Sequence, residues 1–277
     1  MSARLDVELV RRGLARSRRH AGELIVAGRV AVEGRLASRP STPVAEDREV
    51  SVVPDADDPG YASRAGHKLG GVLDLLGPAG PVVSGRDCLD AGASTGGFTD
   101  VLLRRGARRV VAVDVGHGQM VADLRADPRV ELREGVNVRD LRAGDVEPAP
   151  GLVVADLSFI SLTLVLPALV GVAAPDADLL VMVKPQFEVG RERLGSGGVV
   201  RDPALRAQAV LGVAHAAAGL GLTVRDVARS PLPGPSGNVE FFLWLVPAGP
   251  ATPGAPTVDE GRIRDVVTAP SAPEGVR

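Results

Sequence analysis

The sequence predicts an α/β fold, namely a Rossmann-like, mainly parallel sheet with helices on both faces, preceded by a small α+β domain. From residue 61 onward, apolar runs typical of strands alternate with helical segments, and such alternation requires crossover connections. An acidic, turn-rich stretch at residues 55–60 separates this part from an arginine-rich first part. A length of 277 residues accommodates one large domain and one small one.

Composition narrows the classes of protein. Hydrophobic residues make up 45% of the chain and charged residues 24%, and the formal net charge of -2 leaves a nucleic-acid partner open. Cys88 is the only cysteine, which excludes an internal disulfide, and the four histidines lie at no metal-ligand spacing, so we expect no metal. The first 20 residues lack the apolar core of a secretion signal, and no apolar run reaches the length of a membrane span. We therefore expect a cytoplasmic protein.

The first 60 residues predict a small domain of helices and short strands. Apolar residues at helical spacing before Gly13 predict a first short helix. Ser17 is typical of the N-cap of a second helix, which ends before Gly28. Apolar runs near residues 29–32 and 50–53 predict strands.

Positive charge is concentrated in this first domain. Residues 1–40 hold nine arginines and four acidic residues, a local charge of about +5. Arginines around the turn between the two helices are candidates for contact with a phosphate backbone, with a solvated protein surface as the equal alternative on charge alone. The predicted RNA contacts are Arg4, Arg12, Arg16, Arg18 and Arg19.

Residues 61–248 predict the sheet domain, and residues 249–277, rich in Pro, Ala and Gly, predict a largely disordered tail with a helical turn around residues 262–267. The predicted strands are 87–90, 109–114, 130–136, 151–156, 179–183, 224–228 and 239–246. The predicted helices are 97–105, 119–126, 162–172 and 203–218. We expect the last strand to run antiparallel at or near the sheet edge.

A glycine-rich loop follows the first strand of this domain at residues 91–98. Glycines permit close approach of the backbone to a ligand, and the next helix presents unpaired N–H groups. No lysine follows Gly96 or Gly97, which disfavours a Walker loop, and the glycine spacing does not match the dinucleotide fingerprint. The acid that ends the strand, Asp90, favours a ligand with a cationic amine.

The following strands complete a candidate nucleoside site. Asp114 ends the second strand, where a carboxylate accepts ribose hydroxyls, and Asn137 follows the third strand, where we expect the adenine. An amino-acid contact, a ribose contact and a base contact in this order describe an S-adenosylmethionine site. The predicted cofactor contacts are Asp90, Gly92, Ser94, Gly96, Gly97, Phe98, Asp114 and Asn137.

The chain has only two lysines among its 32 basic residues, Lys68 and Lys184. General replacement of lysine by arginine spares positions where a guanidinium cannot replace an amine. Asp156 and Lys184 end the fourth and fifth strands, so both side chains lie at the carboxyl edge where open α/β sheets bind ligands. Glu240 begins the last strand, which starts at the same edge if that strand is antiparallel.

Five ordered motifs resemble the TlyA family of ribosomal RNA 2'-O-methyltransferases, which have an FtsJ-like catalytic fold. They are Ser63-Arg64 through Lys68-Leu69, Asp90-Ala-Gly-Ala-Ser-Thr-Gly-Gly-Phe-Thr99, Asp156-Leu-Ser-Phe-Ile-Ser161, Lys184-Pro-Gln-Phe-Glu188 and Gly237-Asn-Val-Glu-Phe241. The resemblance implies a class I methyltransferase sheet and a Lys-Asp-Lys-Glu catalytic tetrad at Lys68, Asp156, Lys184 and Glu240. It also implies that residues 1–60 are an RNA-binding domain of the ribosomal small-subunit protein four type.

The activity implied by this resemblance is methylation of cytidine 2'-hydroxyls in the RNA of one or both ribosomal subunits. Lys184 then acts either as a neutral base or as a charged group that orients the hydroxyl and stabilises the alkoxide, and the sequence does not separate these roles. Phe159 and Phe187 are candidates to hold a flipped nucleotide, although such residues more often belong to a core. Two alternatives from other classes remain: an RNA-binding protein with an inactive methyltransferase-like scaffold, and a membrane-lysing protein, because members of the family are named haemolysins. The fold alone also leaves methylation of a small molecule or a protein open, although the arginine-rich first domain favours RNA.

Overall fold

The computed structural model describes residues 2–15, 18–53, 58–249 and 258–270. The chain divides into two compact units, residues 1–63 and residues 64–277. Each unit has its own buried apolar cluster.

The first unit combines two short helices with short antiparallel strands. Its elements are β1 (Ser2–Arg4), α1 (Leu5–Arg11), α2 (Arg18–Val26), β2 (Val30–Val32), β3 (Arg35–Leu36), β4 (Pro43–Ala45) and β5 (Val50–Val52). β1 pairs with β4, and β2 lies between β3 and β5. Leu5, Leu9 and Ile25 of the helices pack on Val30 of β2. Both predicted helices are present, whereas the predicted N-cap Ser17 lies outside the described residues.

The second unit is built on a seven-stranded mixed sheet. Its strands are β6 (Asp87–Ala91), β7 (Arg109–Asp114), β8 (Val130–Glu134), β9 (Leu152–Ala155), β10 (Asp178–Val183), β11 (Leu222–Arg229) and β12 (Phe241–Pro247). The order across the sheet is β11-β12-β10-β9-β6-β7-β8. The five strands from β6 to β10 are parallel to one another. Strand β12, one place from the edge, is antiparallel to its neighbours β10 and β11. This is the predicted architecture, and the central strands are fully buried because helices cover both faces.

In the second unit, one helix precedes the first strand, one follows the last, and the others connect strands. These helices are α3 (Arg64–Leu76), α4 (Gly97–Arg104), α5 (Ala122–Ala126), α6 (Leu166–Val172), α7 (Pro185–Glu188), α8 (Pro203–Gly219) and α9 (Glu260–Thr268). α8 illustrates how local sequence sets an element. The Asp202 carboxylate accepts the Ala204 N–H at 2.8 Å, Pro203 occupies the first turn, and Gly221 adopts a left-handed φ of 78° after the helix ends.

The sequence analysis did not predict helix α3, although apolar residues at helical spacing are present in this segment. Leu69, Val72 and Leu73 are buried at helical spacing, and Lys68 lies on the same helix. The helix places Lys68 against the sheet, whereas the sequence analysis placed it only after the linker.

Residues 258–270 are ordered within the predicted disordered tail, and the helical turn expected around residues 262–267 is part of a longer helix. Residues 260–268 form α9, in which Ile263 is 2% exposed and Val267 is fully buried, and both belong to the main core. The Val258 N–H donates to the Val224 carbonyl of edge strand β11 at 2.9 Å. Composition indicated disorder because Pro, Ala and Gly dominate this tail, whereas the packing of the helix on the core depends on tertiary contacts that composition does not report. Residues 250–257 and 271–277 lie outside the described residues.

Within the described residues, no helix combines the length and apolar character that crossing a membrane requires.

Candidate active site at the carboxyl edge of the sheet

The site is assembled where β6, β9 and β10 end side by side. The Asp156 N–H donates to the Ala91 carbonyl at 3.0 Å, which continues the pairing of β9 with β6 by one residue. Gly92 has a left-handed φ of 90°, and a Cβ there would lie 2.7 Å from the Asp156 carbonyl oxygen. Only glycine therefore permits this approach, which brings the loop after β6 against the acid that follows β9.

Lys184 and Asp156 form the first of two ion pairs. Lys184 Nζ lies 2.6 Å from Asp156 Oδ1, and the two side chains are 9% and 13% exposed. Oδ1 lies outside the angular range of a hydrogen bond, so this contact is electrostatic rather than directed. The same ammonium donates to Ser158 Oγ at 2.9 Å. The amine is thus held by a carboxylate and a hydroxyl and keeps a small exposed area.

Lys68 and Glu240 form the second pair. Lys68 Nζ donates to Glu240 Oε2 at 2.5 Å, and the side chains are 7% and 1% exposed. Helix α3 supplies the lysine, and the residue just before β12 supplies the acid. This pair is less exposed to solvent than the Lys184–Asp156 pair.

The two pairs occupy neighbouring strand ends. β10 and β12 pair as far as Val183 opposite Phe241, so Lys184 and Glu240 are the next residues on adjacent strands, which lie about 4.8 Å apart. Lys68 Nζ also lies 4.0 Å from the sulfur of Met182 on β10. The four residues chosen from the sequence therefore meet at one edge, as two amines that each face their own acid.

Asp90 is fully buried in β6 and is only half satisfied. Thr99 Oγ1 donates to its Oδ2 at 2.7 Å, and its Oδ1 has no hydrogen-bond partner within the described structure. Burial raises the pKa of Asp90 to about 7; the Thr99 hydrogen bond opposes this effect, and the negative charge of Asp156 adds to it. A buried carboxylate oxygen without a donor fits a ligand that brings a cationic amine.

Asp114 ends β7 and organises the glycine loop. Its Oδ2 accepts the Ser94 N–H at 2.8 Å and its Oδ1 accepts the Gly116 N–H at 2.7 Å. Ser94 has an unusual φ of 46° for a non-glycine residue, and its hydroxyl lies 3.0 Å from Gln119 Oε1. Each carboxylate oxygen still has a free lone pair for a hydroxyl donor. The carboxylate therefore holds the loop and keeps capacity for a ligand.

Three other predicted cofactor positions have structural contacts. Phe98 is 2% exposed and its ring lies 6.1 Å from that of Phe242, so only its backbone can face a ligand. A Cβ at Gly96 would lie 2.4 Å from Cδ1 of Leu124, so the absence of a side chain makes room for α5. Gly97 begins α4 and is buried.

Asn137 lies beyond β8. Its side-chain oxygen accepts the Arg139 N–H at 3.1 Å and caps a short helical turn. The side chain is exposed, and this hydrogen bond is local.

The arginines predicted to bind RNA are placed differently from one another. Arg12 is internal: it donates to Glu8 at 2.6 Å and to the carbonyls of Arg48 and Glu46 at 2.7 and 3.0 Å, and it is 19% exposed. This geometry ties α1 to the β4–β5 turn, which makes Arg12 a structural residue.

Arg4 and Arg18 are exposed, and both bind the Asp6 carboxylate, at 2.9 Å each. Their hydrogen bonds, that of Arg4 first, lower the pKa of Asp6 to about 2. Arg16 and the side chain of Arg19 lie outside the described residues.

The loop after Asp156 carries an exposed aromatic residue. Phe159 is 92% exposed and has a left-handed φ of 65°, which is costly for a bulky side chain. Its ring lies 5.3 Å from that of Phe187, tilted by 47°. An exposed, strained aromatic beside the ion pairs is a candidate stacking surface rather than a core residue.

Sequence reasoning assigned no role to Ser158 or Glu188. Glu188 accepts the Ser161 hydroxyl at 2.5 Å and the Leu162 N–H at 2.9 Å, and so ties the loop after Asp156 to the helix after Lys184. Burial raises the pKa of Glu188, and both hydrogen bonds oppose the shift. The sequence signal that could have identified these two residues is that both lie within the family motifs, Ser158 in residues 156–161 and Glu188 in residues 184–188.

Among the described residues, no cluster of three His, Cys, Asp or Glu side chains is placed to hold a metal.

Comparison with known proteins gives two family matches. Residues 61–246 match the FtsJ-like methyltransferase family, and residues 3–50 match the S4 domain. The 16S/23S rRNA (cytidine-2'-O)-methyltransferase TlyA of Mycobacterium tuberculosis is 57% identical over 88% of this chain and 89% of its own length. Hemolysin A of Brachyspira hyodysenteriae is 35% identical over 88% of this chain and 99% of its own length. A solved structure from Streptococcus thermophilus superposes with a TM-score of 0.74 at 35% identity, covering 96% of this chain and 94% of that one.

Proposed function

The chain belongs to the TlyA family of rRNA methyltransferases, and from this premise we propose that it methylates the 2'-hydroxyl of a cytidine in ribosomal RNA, using S-adenosylmethionine. The observation that carries this proposal is the pair of lysine–acid contacts at the carboxyl edge, beside a glycine loop with an unsatisfied buried carboxylate. Phosphoryl or hydride transfer would not require this set of groups.

The residues present fit the cofactor. Asp90 Oδ1 is a buried acceptor for an amino group, and Asp114 has acceptor capacity for ribose hydroxyls. Gly92, Ser94, Gly96, Gly97, the backbone of Phe98 and Asn137 remain proposed contacts. S-adenosylmethionine supplies an electrophilic sulfonium methyl group when bound.

Lys184 is the proposed catalytic residue. A ribose hydroxyl is a poor nucleophile, so a group at the site must accept or orient its proton as the oxygen attacks. Ser158 accepts one N–H of the Lys184 amine and Asp156 lies against the same amine, so an N–H remains for the substrate hydroxyl. The contact with Asp156 and the hydrogen bond to Ser158 fix the position of the amine, so we infer that Lys184 orients the hydroxyl. Lys68 and Glu240 support this arrangement from the buried side.

The substrate side of the proposal rests on Phe159 and the first unit. Phe159 is the proposed stacking surface for a base lifted out of its helix, because it is exposed and its ring lies 5.3 Å from that of Phe187. The S4 domain match supports RNA contact through exposed arginines such as Arg4 and Arg18.

The test is methyl transfer from labelled S-adenosylmethionine to ribosomal RNA by the full chain and by Lys184→Arg. We expect the wild-type chain to label RNA at a cytidine ribose. Lys184→Arg should lose transfer and retain cofactor affinity, because a guanidinium matches the charge but not the compact geometry of the amine. Cofactor affinity by calorimetry is the folding control.

The outcomes separate the alternatives. RNA binding without transfer by the wild-type chain would favour an inactive scaffold. Leakage of liposomes without RNA methylation would favour a membrane-lysing protein. Wild-type turnover by Lys184→Arg would contradict the catalytic role of Lys184 and leave the proposed methyl transfer itself unaffected.

A further inference from the structure

The segment at residues 230–238, here named the cap, lies over the buried Lys68–Glu240 pair. The Ser230 N–H donates to the Glu240 carbonyl at 2.9 Å, and Arg64 of α3 donates to the Pro233 carbonyl at 3.1 Å. The cap therefore contacts both the acid and the helix that carries its lysine.

The cap is internally rigid. The Gly234 N–H donates to the Asn238 carbonyl at 2.8 Å, and the Gly237 N–H donates to the Gly234 carbonyl at 2.9 Å. Asn238 is 3% exposed; its Oδ1 accepts the Val200 N–H and its Nδ2 donates to the Gly198 carbonyl, both at 2.9 Å. Three prolines, at positions 231, 233 and 235, further restrict the backbone.

Two glycines make the close fit possible. A Cβ at Gly234 would lie 2.5 Å from Glu240 Oε1 and 3.2 Å from its Cδ. A Cβ at Gly71 of α3 would lie 2.8 Å from Cγ of Pro231. Neither glycine has a left-handed φ, so backbone conformation alone would admit alanine at both positions. Space is the reason for glycine here.

A methyl group at Gly234 would have to displace the Glu240 carboxylate. That carboxylate is 1% exposed and hydrogen-bonded to Lys68 at 2.5 Å, so it cannot turn toward water without breaking the pair. Removing the partner of a buried charge is far more costly than disturbing an exposed one.

We propose that Gly234 is a positioning residue for methyl transfer: the absence of its side chain lets the cap close on Glu240 and fix the Lys68–Glu240 pair in one geometry. This inference rests on the proposed function, because it gives that pair its role in the same site. Gly71 serves the same closure from the side of α3.

The test compares Gly234→Ala with the matched control Gly171→Ala, since a Cβ at Gly171 of α6 meets nothing within 4 Å. We expect Gly234→Ala to lower kcat for RNA by on the order of a hundredfold, because misplacement by about 1 Å has this effect. The KM for the cofactor should be unchanged, and Gly171→Ala should retain wild-type rates. Wild-type kcat in Gly234→Ala would overturn the inference.

A second arm asks whether the added methyl acts through Glu240. Glu240→Asp shortens the acid by one methylene and withdraws it from the methyl, so the thermal shift caused by Gly234→Ala should be smaller in that background. An equal shift in both backgrounds would overturn the inference.

A third arm does not depend on activity. The chain has two lysines, so labelling lysine with ¹³C at Cε yields two lysine signals, and Lys184→Arg identifies that of Lys68 by elimination. Gly234→Ala should shift the Lys68 signal and leave the Lys184 signal in place, whereas an unmoved Lys68 signal would overturn the inference. If the wild-type chain transfers no methyl group, the proposed function fails, and this arm still decides the geometry.

Discussion

At the scale of single residues, the two basic positions of the candidate site are distinguished by being lysine rather than arginine. Both lysines of the chain form short ion pairs at the sheet edge, where their side chains are less than a tenth exposed. A guanidinium is broader and has fixed donor directions, so it would not fit between Asp156 and Ser158 as the amine does. Thirty arginines elsewhere show that the chain accepts arginine where shape is not limiting.

Asp90 leads to a prediction on pH and stability. Its pKa is raised by burial from 3.8 to about 7, so between these values the folded chain holds a proton that the unfolded chain releases. The free energy of unfolding should therefore fall as pH rises from about 4 to about 7, with a slope of up to about 1.4 kcal/mol per pH unit from this group. Asp90→Asn should remove that part of the slope in chemical denaturation of the protein without cofactor.

The raised pKa of Asp90 also predicts that the protein releases a proton when the cofactor binds. A cationic amine beside Oδ1 favours the ionised carboxylate, so affinity should increase as pH rises through 7. Calorimetry at pH 6.5 in two buffers of different ionisation enthalpy measures the release. The same heat in both buffers would contradict the amine contact at Asp90.

At the scale of elements, α9 shows that apolar contacts rather than surface charge attach the C-terminal segment. Ile263 is 2% exposed in the main core, whereas His215 and Glu260 form an exposed contact at 2.7 Å between α8 and α9. Burial of a large aliphatic side chain contributes several times more than an exposed ion pair.

We expect Ile263→Ala to lower the free energy of unfolding by about 2–4 kcal/mol, because it leaves a cavity. His215→Ala is the control on the same helix pair and should cost less than about 1 kcal/mol. Chemical denaturation measures both. An Ile263→Ala variant as stable as the wild type would mean that α9 does not pack on the sheet in solution.

At the scale of the whole molecule, charge is distributed unevenly. Residues 1–40 carry about +5, whereas the rest of the chain, with 23 basic and 30 acidic residues, carries about -7. Net positive charge is therefore confined to the first domain, where we expect the attraction to RNA phosphates.

We expect affinity for ribosomal RNA to fall steeply with salt, since bound arginines release counterions from phosphates. Arg18→Gln should reduce the salt slope by about one, because this side chain is 61% exposed. Arg12→Gln should leave the slope unchanged and lower the thermal midpoint, because Arg12 bonds internally. Filter binding at several salt concentrations and thermal unfolding measure the two effects. If Arg12→Gln reduced the salt slope and Arg18→Gln left it unchanged, the RNA contact would be at Arg12 and not at Arg18.

The sequence alone determined the α/β class, the succession of strands and which residues end the strands at the carboxyl edge of the sheet. Periodicity records which residues are buried, and the carboxyl ends of parallel strands must share one edge, so Asp156 and Lys184 could be placed together from the strands they follow. The last strand could likewise be placed antiparallel near the sheet edge.

Tertiary structure decided which acid faces which lysine, that Arg12 is internal, and that residues 258–270 are ordered. It also decided that Gly92 and Gly234 make room for protein atoms. These features depend on atoms brought together from distant parts of the chain, and local pattern contains no information on such distances. A pattern reports whether a side chain is buried, whereas its partner is set by the packing of whole elements.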